Sequence, residues 1–128
     1  MDPTIFKFVH YIGILTLFFS LGAMFSGASW KKSFGMGHGI GLLLIIISGF
    51  GFLGVAKLGI PVWAIVKTII WLFFGASLAL AKKGKLKGLA AWVVIIGLGS
   101  AAAFIGLNWK TGKLPAFMVK NLVEKKAE

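Results

Sequence analysis

Apolar positions in this chain do not alternate with polar ones; they run on without a break. Four stretches stay apolar for close to the roughly 20 residues that a helix needs to cross the hydrocarbon of a bilayer. They run from Thr4 to Phe25, Met36 to Ala56, Pro61 to Leu80 and Gly88 to Leu107. Between them lie SGASWKKSFG (26–35), KLGI (57–60) and AKKGKLK (81–87). Backbone in lipid must satisfy its own hydrogen bonds, so such runs predict helices. Short connections make neighbouring helices antiparallel. The expected fold is all-α: an integral membrane, four-transmembrane-helix bundle, up-down-up-down, over residues 1–110. Residues 111–128 form a basic C-terminal tail, whose end is expected to fold as a short amphipathic helix with Phe117, Met118, Leu122 and Val123 on its apolar side. The first stretch is longer than the apolar part of a signal peptide and starts Met-Asp with no basic cluster. It is expected to stay in the mature chain.

Composition sharpens this picture. Of the 128 residues, 59% are apolar or aromatic and 13% are charged, too few to cover a water-soluble domain. Cysteine is absent, which removes disulfides, thiolate metal sites and cysteine nucleophiles. Fourteen lysines against three acids give a net charge of +11, and there is no arginine. In so apolar a chain this excess marks loops held against an anionic bilayer, and no nucleic-acid partner is expected. The positive-inside rule puts Lys31, Lys32, Lys82, Lys83, Lys85 and Lys87 in the cytoplasm and both termini outside. Lys110, Lys113, Lys120, Lys125 and Lys126 pull the other way.

Helices in lipid associate through close packing of small residues. The second span opens GMGHGIG, with Gly37 and Gly41 one turn apart, and continues through Ser48, Gly49, Gly51 and Gly54. The fourth carries Gly97, Gly99 and Ser100 to Ala103. These faces serve packing within one chain, a homo-oligomer or a membrane partner protein. Trp30, Trp63, Trp92 and Trp109 lie near span ends, where tryptophan anchors at the headgroups; Trp71 lies deeper.

Ionisable residues inside a span are functional candidates. There are three: His10, His38 and Lys67, while Asp2, Glu124 and Glu128 are all terminal. Carboxylate relays and paired-acid catalysis therefore have no residues within a span. His10 and Lys67 each lie about six residues into spans entering from one side, roughly 9 Å deep and nearly level. His38 lies near the opposite interface, roughly 18 Å from His10 along the membrane normal. Two imidazoles that far apart do not clamp one iron. Lys67 has no acid near it in sequence, so it snorkels to the headgroups, loses its proton or meets an external anion. His10 is either a hydrogen-bonded bundle histidine or an axial ligand to haem. His38, between Gly37 and Gly39, reads as structural, or as a place where a flat ligand meets the backbone. Tyr11 adds a hydroxyl beside His10.

Residues 4–110 resemble the SirB-like four-helix membrane proteins. The likeness is carried by His10, by HGIGLLLIIISG opening at His38, and by PVWAIVK ending at Lys67. Lys7-x-x-His10 and Trp63-x-x-x-Lys67 are similar to motifs of the HemJ-type protoporphyrinogen oxidases, without that family's arginine-bearing segment after the first helix or its further histidine late in the third. The resemblance implies a multi-pass protein of the bacterial inner (cytoplasmic) membrane. From the HemJ-type motifs it implies functional roles for the helix-one histidine and the helix-three lysine.

Two functions follow as expectations. In the first, haem b or another porphyrin binds between the helices, with His10 as the metal ligand, Lys67 beside a propionate, and Tyr11 and His38 lining the site. An enzyme of this kind would be a haem-dependent membrane oxidoreductase resembling protoporphyrinogen oxidase. In the second, the chain is a non-catalytic membrane subunit or scaffold that binds a partner through its Gly/Ala-rich faces. A small transporter is disfavoured, since no acid or broken helix lines a path.

Overall fold

The computed structural model describes residues 2–26, 29 and 31–123. Trp30, Lys125, Lys126, both glutamates of the tail and the side chain of Val123 lie outside the described residues. The fold is all-helical in its main body: α1 (Pro3–Phe25), α2 (Lys32–Val55), α3 (Val62–Lys82) and α4 (Gly88–Asn108). Each of the four is long and apolar enough to cross a membrane.

Three of these helices match the expected spans to within two residues, but α2 starts at Lys32, four residues before Met36. The apolar run marks what lipid tolerates, whereas nothing in Lys32-Ser33-Phe34 stops a helix. In α1 proline takes the first position, where its missing N–H is no loss. Asp2 caps that end by accepting the Thr4 N–H at 2.8 Å. This bond holds the Asp2 carboxyl below its usual range. Both α2 and α3 end in the same 6→1 and 5→2 hydrogen-bond pair. Leu58 bonds Leu53 and Lys57 bonds Gly54 after α2, while Lys85 bonds Leu80 and Gly84 bonds Ala81 after α3. The left-handed residue is Gly84 in one and Lys57, at φ 55°, in the other. A β-carbon there costs roughly 1–2 kcal/mol.

The tightest contact joins α1 to α2. A β-carbon placed on Gly13 would lie 3.0 Å from the Gly41 carbonyl, and one on Gly41 would lie 2.8 Å from the Leu17 nitrogen. Backbone thus rests on backbone. The contacts descend α2 as they climb α1: Phe6 beside Gly51, Gly13 beside Gly41 and Leu44, Ser20 beside Gly37. Directional bonds join α2 to α3. His38 donates from Nε2 to the Phe74 carbonyl at 2.9 Å, and Trp71 donates from Nε1 to the Leu42 carbonyl at 2.9 Å. Helix α4 is held by rings instead: Trp92 meets Phe25 edge-on at 6.0 Å, and Trp109 stacks on Trp63 at 5.4 Å. Among the described residues no side-chain hydrogen bond links α4 to another helix.

Two apolar clusters result. Leu17, Leu21, Phe74 and Ile95 form one, and Leu53, Trp63, Ala64, Ile105 and Leu114 the other. Trp63, expected as a headgroup anchor, is buried in the second cluster because Trp109 and the returning tail cover it. The outer surface is apolar too: Phe19 and Leu89 are each 80% exposed, a surface suited to hydrocarbon rather than water.

The tail differs from the expected amphipathic helix. Only one turn is helical, α5 (Ala116–Val119), and a strand β2 (Asn121–Val123) follows, antiparallel to β1 (Ile60–Pro61). The Val62 N–H also bonds the Lys120 carbonyl at 2.9 Å. Pro61 leaves an extended, donor-poor segment between α2 and α3, and the tail meets its need for partners. Met118 packs on the Trp63 cluster while Phe117 stays exposed.

Candidate functional site

Phe18 of α1 and Phe74 of α3 touch edge-on, with ring centroids 5.4 Å apart. Counting back along each helix, His10 lies roughly 12 Å and Lys67 roughly 10.5 Å from this pair. Counted this way, the two stand at similar heights on α1 and α3. Both are half-buried and sit between the two apolar clusters.

The His10 ring is fixed by α2. Its Nδ1 lies 3.0 Å from the Ile45 carbonyl and 3.0 Å from Ser48 Oγ. A carbonyl oxygen only accepts, so Nδ1 carries the proton and Nε2 carries the lone pair. Ser48 gives its own proton to the carbonyls of Leu44 and Ile45, which leaves its oxygen to accept from His10. The ring edge rests on Gly49, where a β-carbon would be 3.6 Å from Cε1. Among the described residues Nε2 has no partner, and no buried side-chain nitrogen or oxygen lacks one, so Nε2 opens to its surroundings.

Lys67 reaches toward α4. Its Nζ would lie 2.9 Å from a β-carbon on Gly106, so the glycine provides the space that the ammonium occupies. Among the described residues Lys67 has neither an ion pair nor a hydrogen bond. One turn toward the tail, the Trp63–Trp109 stack closes the α3–α4 seam. One turn the other way the seam opens into an apolar cleft of about 560 Å³ lined by Ile69, Ile70, Phe73, Val93, Gly97 and Leu98, among others. Neither His10 nor Lys67 lines that cleft.

The other two candidates lie elsewhere. Tyr11 is one residue on from His10, about 100° around the helix, and is 55% exposed on the outer face. His38 is 3% exposed and bonded to Phe74, within α2, which begins at Lys32 ahead of the apolar run. It stands seven to ten residues from the Ile45–Ser48 segment that holds His10, roughly 10–15 Å of helix. The two imidazoles therefore belong to different seams. No group of three or more metal-ligating side chains occurs among the described residues. Ser48 and Gly106, which seat the two candidates, carry no chemistry of their own; a small residue within an apolar span was their only signal.

No protein-family model matches the chain, and neither the curated proteins nor the solved structures give a match.

Proposed function

We propose that this is a multi-pass, SirB-like protein of the bacterial inner membrane, its four helices crossing up-down-up-down. It binds haem or another porphyrin beside His10 and Lys67. The observation that carries this reading is the His10 tautomer. A ring whose Nδ1–H is given to a backbone carbonyl presents Nε2 as a neutral donor, the usual arrangement of a histidine that ligates a metal. A porphyrin iron needs one such donor, so the lack of a multi-residue cluster is no obstacle. Lys67 supplies the cation that a propionate would meet, in a setting of low dielectric where such a bond is strong. His38 takes no part, and Tyr11 faces away. When bound, the porphyrin would bring one-electron chemistry; the residues here supply a donor, a counter-charge and an apolar surround.

The test is the visible spectrum of the purified protein after haem reconstitution. A Soret band in wild type that is lost in His10→Ala and shifted in Lys67→Met is expected. A colourless wild-type protein sinks the proposal.

The partner-protein reading is weakened at α2, since Gly37 and Gly41 are occupied by Ser20 and by α1 backbone. It keeps Gly39 and Gly54 of α2 and Gly97 of α4, each of which meets nothing within 4 Å.

A further inference from the structure

The α3–α4 seam has three consecutive parts: a tryptophan stack that closes it, an ammonium set against Gly106, and an apolar cleft open to the outside. Ile70, Phe73 and Leu98 lean on the buried cluster, while Ile69 and Val93 are mostly exposed. The cleft is shallow and open along the outer side of the seam, a shape that suits an extended chain laid along it. Its walls are almost purely hydrocarbon, so they give a guest area but no orientation. Orientation comes from Lys67, one helical turn from Ile70 and unpaired among the described residues.

We propose that this cleft binds a single-chain amphiphile with a carboxylate head, a long-chain fatty acid, its tail along Ile70, Phe73 and Leu98 and its head on Lys67. One ammonium neutralises one negative charge. A phosphate monoester would bring a second charge with no partner in a medium that penalises it. A neutral hydrocarbon chain would fill the walls and leave the cation unmet. The site uses α3 and α4 and not His10, so it stands apart from the porphyrin reading. Both ligands would use the same ammonium and would exclude one another.

The experiment uses the full-length, haem-free protein in neutral detergent, with brominated stearic acid as the probe. Bromine quenches nearby tryptophan, and Trp71 and Trp92 adjoin the cleft residues in sequence. Wild type should bind the brominated acid about tenfold or more tighter than the brominated alcohol, and tighter than the brominated alkyl phosphate. Lys67→Met should erase the preference for acid over alcohol. Gly97→Phe should weaken both probes, because its β-carbon starts in open space and its ring takes up room in the cleft. His10→Ala should leave fatty-acid affinity unchanged even where it abolishes a Soret band. Equal affinity for acid and alcohol in wild type would mean ordinary lipid filling and would overturn the proposal. So would no quenching, a preference for the phosphate, a preference that survives Lys67→Met, or its loss in His10→Ala.

Discussion

His38 of α2 donates its Nε2–H to the carbonyl of Phe74 on α3 at 2.9 Å, inside a region where the imidazole is 3% exposed. Trp71 returns the favour from α3 to Leu42, one turn along α2. The pair fixes both the rotation and the height of one helix against the other. His38→Ala should therefore destabilise the protein by about 1–3 kcal/mol, from a lost interhelical bond and a cavity. His38→Gln, which keeps an N–H donor, should recover part of this. Thermal unfolding in detergent measures it, and an unchanged midpoint in His38→Ala would show that the tie has no energetic weight.

Gly13 and Gly41 let α1 and α2 touch through backbone. An alanine at either position puts a carbon 2.8–3.0 Å from main-chain atoms that cannot move aside. Gly13→Ala and Gly41→Ala should each cost about 1–3 kcal/mol by overpacking. Gly97→Ala, with open space around it, should fall within about 0.5 kcal/mol of wild type. The three midpoints compared side by side test the assignment of the seam.

Asp2 gives the first turn of α1 a pH dependence. Its carboxyl is held below the ordinary value of 3.8 by the Thr4 N–H, so the charged form is favoured in the folded chain. The cap is fully present above that ordinary value and is lost as pH falls through the lower, folded one. Amide exchange at Thr4 and Ile5, corrected for its intrinsic pH dependence, should speed up below about pH 3.8 in wild type. In Asp2→Ala it should be fast at every pH. An identical pH profile in the two proteins would count against the cap.

Gly106→Ala tests the seat of the Lys67 ammonium. The added carbon would lie 2.9 Å from Nζ, the far end of a flexible chain, which can swing away. Stability should stay within about 0.5 kcal/mol of wild type. Affinity for a carboxylate ligand should fall several-fold, because the charge has moved while remaining present. Titration of the variant with brominated stearate reads this directly.

The four long helices were legible because lipid imposes a length and forbids irregular backbone, and both constraints are written in residue type. The similar heights of His10 and Lys67 along their helices could be counted for a similar reason: rise per residue is fixed. Rotation about a helix axis is a different matter. Tyr11 stands next to His10 in sequence and points away from it, and an apolar span offers too little periodicity to reveal that. Gly13 and Gly106 were missed because a glycine in such a span looks alike whether it admits a backbone, an ammonium or nothing. The bond from His38 to Phe74 was not legible for the same reason, since it depends on how α2 is turned toward α3. The strand in the tail depends on Ile60 and Pro61, some sixty residues earlier, and no local pattern announces a partner that distant.

Rings hold α4 by distance and by area, whereas hydrogen bonds to named carbonyls hold α2 to α1 and to α3. A helix gripped that way can slide along its axis or tilt without severing a directional bond. Bilayer thickness acts on such freedoms, at a cost of fractions of a kcal/mol per ångström. In a thinner or thicker membrane, α4 is the stave that would shift, and with it the width of the opening it shares with α3.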